Sequence, residues 1–305
     1  MENQTAVNIL FLNGLSDLPS LQIPLFLLFL VIYLLTLTTN LLIFLLIFTD
    51  PNLQTPMYSF LGTLASLDTG YSTVTTPEIL FDLLTERRDI SVRACLTQIY
   101  FFSFFATSEV CMLAVMSYDR YIAICRPLHY MQIMNWKVCA ELISGVLMFS
   151  VVYSLVHTLF LTKLTFCSSN VLQSFFCDLP QLLQVSCSDT FINVLLIFLL
   201  GTLFGVVILA ATFYPYIPII NTILKVSENM RSKAFSTCSS HLTVVFIFYG
   251  TLLFNYYRPN AKYHFTEDKV ASVFYAILIP FLNPLIYSLR NKELKTSIRR
   301  SLCKL

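Results

Sequence analysis

The chain has 305 residues, 56% of them hydrophobic and only 12% charged, with net charge +2 and mean hydropathy +0.73. A soluble domain carries about 25% charged residues. So few charges cannot keep a surface dispersed in water, which excludes a soluble domain, a disordered chain and a nucleic-acid binder.

A membrane-crossing helix needs about 20 apolar residues, because its backbone polar groups must be paired internally in lipid. Seven stretches meet this need: 24–48, 57–80, 95–125, 139–161, 190–224, 235–257 and 270–289. The second is rich in Ser and Thr and carries Asp68, and the seventh is interrupted by Pro280 and Pro284. Residues before Pro24 lack the basic and apolar regions of a signal peptide, so the first span is expected to insert as an uncleaved anchor. The expected fold is therefore an all-α membrane bundle of seven helices. An outer tail (1–23), the bundle (24–289) and an inner tail (290–305) follow along the chain.

Orientation follows from Lys and Arg, which favour the inner side. With the N-terminus outside, the inner segments hold twelve of the 19 basic residues. The inner tail alone holds six, and the first 23 residues hold none. In that tail Leu294, Ile298 and Leu302 alternate with Lys295, Arg299 and Arg300, the spacing of an amphipathic helix on the inner leaflet. Cys95, Cys167, Cys177 and Cys187 fall on the oxidising outer side, where three pairings are open. The Asn-X-Ser/Thr sequon at Asn3 lies there too and is expected to be glycosylated.

Four strings lie in order along the chain: PMYSFL at 56–61, MSYDRYIAICRPLHY at 116–130, SKAFSTCSSHL at 232–242 and PFLNPLIYSLRN at 280–291. FFCD at 175–178 and SCSD at 186–189 accompany them. Together they resemble the motifs of vertebrate olfactory receptors of the tetrapod type, rhodopsin-like receptors coupled to G proteins. Two positions depart from the family pattern. Thr39 precedes Asn40 where Gly is usual, and Pro215 precedes Tyr216 where Ser is usual, with Pro218 following. The prolines are expected to bend the inner end of helix 5.

The resemblance implies roles for particular residues. Asp119, Arg120 and Tyr121 would form a switch with Tyr216, His241, Asn283, Pro284 and Tyr287. Read alone, Arg120 at a helix end is a residue snorkelling to headgroups, and Pro284 is a structural kink. Asp68 and Glu109 lie mid-span, where carboxylates are expensive and mark polar interior sites. By resemblance they frame a sodium or water pocket with Asn40 and Asn283. A protonated pair that only packs helices, or a proton path in a transporter, are the other readings. The family assigns disulfides Cys95–Cys177 and Cys167–Cys187, which would fold the second outer loop over the bundle mouth. It also places a ligand pocket between helices 3, 5, 6 and 7, with Phe102, Ser103, Ala106, Thr107, Leu200, Phe204, Tyr249, Leu252, Tyr256 and Phe274 as its lining. That set is apolar with a few hydroxyls and no carboxylate, which suits a small neutral ligand. Phe102 stands where amine receptors have Asp, and no Lys within helix 7 is available for a retinal Schiff base. No cofactor is expected beyond that sodium ion.

The implied function is an odorant receptor of the plasma membrane that activates a stimulatory heterotrimeric G protein to raise cyclic AMP. The alternative is an ion- or proton-coupled transporter using Asp68 and Glu109. An intramembrane enzyme has little backing, since the chain has no HExxH and no GxSxG.

Overall fold

The chain is described here by a computed structural model covering residues 8–15, 18–85, 87–167, 170–225, 238–239, 241–250, 272–290 and 292–302. Four long helices open the bundle: α1 (Pro19–Thr49), α2 (Pro56–Thr85), α3 (Val92–Cys125) and α4 (Trp136–Leu161). The fifth span, α5, covers Phe191–Ile223. α6 is described over His241–Gly250, and α7 runs through Phe274–Leu278 and Ile279–Arg290. α8 (Lys292–Leu302) follows it. The fold is a seven-helix membrane bundle with an amphipathic C-terminal helix. The sixth expected span lies partly outside the described residues, as does Asn3.

These helices are apolar on nearly every side, the pattern of a helix enclosed by protein on one face and lipid on the other. Leu27, Leu28 and Leu34 of α1 and Phe198 and Leu203 of α5 are exposed on the lipid side. α3 is well enclosed and packs on α2, α4 and α5. Met112, Leu113 and Met116 lie at its buried centre. α2 and α3 approach closely at Gly70, where a Cβ would collide with the Phe105 ring.

α5 is not a uniform α-helix. A π-turn occupies Ile197–Gly201, and the helix is interrupted at Tyr214–Pro215 before Tyr216–Ile223 resumes it. Pro215 has no N–H to donate, so the ladder stops there. α7 contains a second π-turn, Phe274–Leu278. Both turns alter which residues of their helices face inward.

The outer end carries a small three-stranded sheet. β1 (Ile9–Leu12) pairs antiparallel with β2 (Asp89–Ser91) and parallel with β3 (Val171–Leu172). Successive strand side chains point to opposite faces, so Leu10 and Leu12 turn inward while Ile9 and Phe11 turn outward. Beneath the sheet, Leu10 and Leu12 pack with Ile90, Leu172 and Leu182 around the Cys95–Cys177 disulfide. The outer tail thus joins the lid of the bundle, and α1 begins at Pro19 rather than Pro24.

At the inner end α8 docks on the loop between α1 and α2. Ser297 Oγ donates to Asp50 Oδ2 at 2.7 Å, and Arg300 lies 3.8 Å from the same oxygen. Tyr58 Oη donates to Glu293 Oε2 at 2.8 Å. The Ser297 hydroxyl and the amides of Asn52 hold the Asp50 carboxyl below its ordinary pKa, with Arg300 adding to the effect. Leu294 is fully buried, while Lys295 and Arg299 are exposed, as an interfacial helix requires.

Candidate functional site

A cavity of about 650 Å³ opens in the outer half of the bundle. α3 contributes Phe102, Ser103, Ala106, Thr107 and Val110, and α5 contributes Phe204, Ile208 and Leu209. Tyr249 of α6 and Tyr275 of α7 complete the far wall. Phe102 is held by rings on three sides: Tyr71 at 5.0 Å, Phe176 at 5.4 Å and Tyr275 at 5.8 Å between centroids.

Two further elements line the cavity. Tyr153 and His157 reach it from α4, one helical turn apart. Their rings pack at 4.6 Å, and Tyr153 also packs on Phe204 at 5.2 Å. The second outer loop supplies Asp178 and Leu179. Asp178 Oδ1 caps the short helix Leu179–Gln184 by accepting from the Leu179 N–H at 2.8 Å, and its Oδ2 accepts from Tyr275 Oη at 3.1 Å. The loop is fixed from below by the Cys95–Cys177 disulfide, with Cα atoms 5.4 Å apart, and the Cys167–Cys187 disulfide folds it on itself. Gln98 braces the first bridge. Its Oε1 accepts from the Cys177 N–H at 2.8 Å, and its Nε2 donates to the Val74 carbonyl at 3.0 Å.

Below the cavity lies a polar interior. Asn283 Nδ2 donates to Asp68 Oδ1 at 2.9 Å. Asn40 Nδ2 donates to the carbonyls of Thr36 and Pro280 at 3.0 and 3.2 Å. Glu109 is fully buried and neighbours Asp68, yet neither of its oxygens receives a hydrogen bond; Asn40 Oδ1 is buried without a donor as well.

At the inner face Arg120 lies 3.5 Å from the Asp119 carboxylate, which also accepts a 2.7 Å hydrogen bond from Tyr130 Oη. Tyr216 Oη and His241 Nδ1 are 2.5 Å apart. Tyr121 packs against the cluster formed by Tyr216, Ile219, Ile223 and Cys238. Tyr287 is buried with its hydroxyl unpaired.

A family model described as "Olfactory receptor" matches residues 29–305. The chain belongs to the olfactory receptor family. It is 48% identical over 299 residues to olfactory receptor-like protein COR4 of Gallus gallus, covering 98% of this chain and 96% of that protein. It is 48% identical over 308 residues to olfactory receptor 5B12 of Homo sapiens, covering 100% and 97%. The fold is also that of squid rhodopsin, with TM-score 0.67 and 18% identity over 94% of this chain and 87% of that one. The protein is thus an odorant receptor of the G-protein-coupled class, a multi-pass protein of the plasma membrane and not an enzyme. Nothing in these relationships supports the transporter reading.

Within the receptor, the cavity gathers six of the ten expected lining residues: Phe102, Ser103, Ala106, Thr107, Phe204 and Tyr249. Leu200 and Phe274 do not line it and are exposed. Their neighbours Gly201 and Tyr275 line it instead, each at a π-turn that shifts the helix face by a residue. Leu252 and Tyr256 lie outside the described residues. The expectation that no carboxylate faces the cavity is corrected by Asp178, which the topology of the second outer loop carries inward. Tyr153 and His157 were missed altogether. Their one signal in the sequence is a pair of polar-tipped rings spaced i, i+4 in an otherwise aliphatic span.

Proposed function

We propose that the receptor binds a small, neutral odorant in this cavity and activates a stimulatory heterotrimeric G protein that raises cyclic AMP. The observation that carries the reading is the apolar cavity beneath a disulfide-tied loop. Its volume falls within the range of about 300–1,000 Å³ used by small-molecule sites. Burial at about 25 cal/mol per Å² supplies most of the binding, and a ligand of about ten heavy atoms binds modestly. Asp178 leaves the ligand class neutral, because both of its oxygens already accept from protein donors. A charged ligand buried here would need its own partner.

Signalling passes through the inner face. Arg120 rests on Asp119 and moves toward the G protein, while Tyr216, His241 and Tyr287 exchange hydrogen bonds around the hinge at Asn283 and Pro284. The N-terminus is outside and Asn3 is glycosylated. The basic C-terminal tail and the absence of Lys and Arg before residue 24 support that orientation.

The polar interior fits a sodium ion. Glu109, which neighbours Asp68, and Asn40 each keep buried oxygens without a donor, the oxygen chemistry that suits a hard cation. Asp68, Glu109 and Asn40 would hold it, with Asn283 steadying Asp68, and its charge would balance the buried carboxylates.

The test is a dose–response panel of matched amines, acids and neutral compounds on one carbon skeleton, read as cyclic AMP. Neutral members should be the most potent. A clear preference for the amine or the acid overturns the ligand class.

A further inference from the structure

We propose that His157 is the hydrogen-bond anchor of the cavity, holding the oxygen of a neutral alcohol, ketone, aldehyde or ester. The hydrocarbon body then lies against Phe102, Val110 and Phe204. This assignment rests on reading the cavity as the odorant site and names the residue that orients the ligand there.

The polar groups around the cavity differ in what they have left to offer. Tyr249 Oη is engaged with Thr212 Oγ1 at 3.1 Å, and Thr212 Oγ1 in turn donates to the Ile208 carbonyl at 2.8 Å. Asp178 has a donor on each oxygen. His157 is 7% exposed, lines the cavity, and has a buried Nε2 that no protein group partners. Among the described lining residues, it alone has a buried side-chain polar atom left without a partner. Such an atom costs about 1–3 kcal/mol, so its retention calls for an explanation. A ligand oxygen supplies one.

The ring is also pre-oriented. It packs on Tyr153 at 4.6 Å between centroids, the two rings tilted by 58°, and Phe204 supports Tyr153 from α5. An imidazole N–H serves any carbonyl or hydroxyl oxygen, whereas an imidazole acceptor serves a hydroxyl alone. Neutral oxygenated compounds are therefore the class that His157 selects.

The experiment compares wild type, His157→Phe and His157→Gln. Phe keeps an aromatic ring against Tyr153 and removes the nitrogens; Gln keeps hydrogen bonding. Epitope-tagged receptors are measured for surface display and for cyclic AMP responses to linear and cyclic alcohols, ketones, aldehydes and esters of six to ten carbons. His157→Phe should lower the potency of active compounds about 2- to 12-fold, and His157→Gln should retain most of it. In purified, ligand-free receptor, His157→Phe should melt no lower than wild type, since it removes an unsatisfied polar atom. Unchanged potency in His157→Phe, equal losses in the Phe and Gln variants, or a lower melting temperature in the ligand-free Phe variant overturns the assignment. A wild-type receptor displayed at the surface yet silent to the whole panel overturns the odorant-site reading beneath it.

Discussion

Tyr275 of α7 donates its phenolic proton to Asp178 in the second outer loop, across 97 residues of sequence and 3.1 Å of space. The same carboxylate caps a short loop helix, so one side chain fixes the loop internally and ties it to the bundle. Tyr275→Phe removes the tie and leaves the helix cap in place. It should lower stability by about 1.5–3 kcal/mol, the range for hydrogen bonds to charged groups. Thermal unfolding of the purified receptor measures this, and an unchanged midpoint would show that the lid is held elsewhere.

Arg120→Ala should leave surface display intact and abolish ligand-driven cyclic AMP. Tyr130→Phe tests the same switch from the opposite side. Tyr130 donates to Asp119 Oδ1 at 2.7 Å while Arg120 lies against Oδ2, so the two share one carboxylate and together fix the end of α3. Its loss should change basal cyclic AMP, normalised to surface receptor. A full response in Arg120→Ala removes the switch assignment.

The Cys95–Cys177 bridge closes a loop with sequence separation 82 and lies at the centre of the outer apolar cluster. Replacing either cysteine by Ser should cost about 2–5 kcal/mol, the usual loss for a native bridge. Peptide mapping without reduction should find Cys95 with Cys177 and Cys167 with Cys187, and any other pairing contradicts the structure.

Asp82 lies in the last turn of α2, two residues past the expected second span (57–80), buried with Oδ2 unpaired. Burial first, then Glu78 and Asp89, push its carboxyl from 3.8 up to about 7, against an opposing pull from Arg88. The folded-state pKa is raised, so the folded state favours the protonated form. Stability is therefore highest below the ordinary value and declines as pH rises through about 7. Asp82→Asn should melt higher than wild type at pH 8, with the difference closing toward pH 4. A difference that does not narrow on acidification rejects this account of Asp82.

The Asp50 contact shows where local sequence stops being informative. The amphipathic face of 292–302 was legible, because Leu294 and Ile298 recur at helical spacing. Its landing place on Asp50 and Tyr58 was not, since nothing in either segment names a partner more than 200 residues away. The same holds for Asp178, whose place in a loop says nothing of the cavity below it.

What the sequence determined by itself was the membrane class, the seven spans, the orientation expected from charge, and the family through its ordered motifs. Each depends on composition or on short-range spacing, which lipid and helix geometry translate directly into structure. The π-turns of α5 and α7, the β-strand at the N-terminus and the entry of Tyr153, His157 and Asp178 into the cavity were decided by tertiary packing. A single π-turn shifts a helix face by a residue, and a strand forms only where a second chain segment offers free backbone groups. Neither condition is written in the residues that obey it.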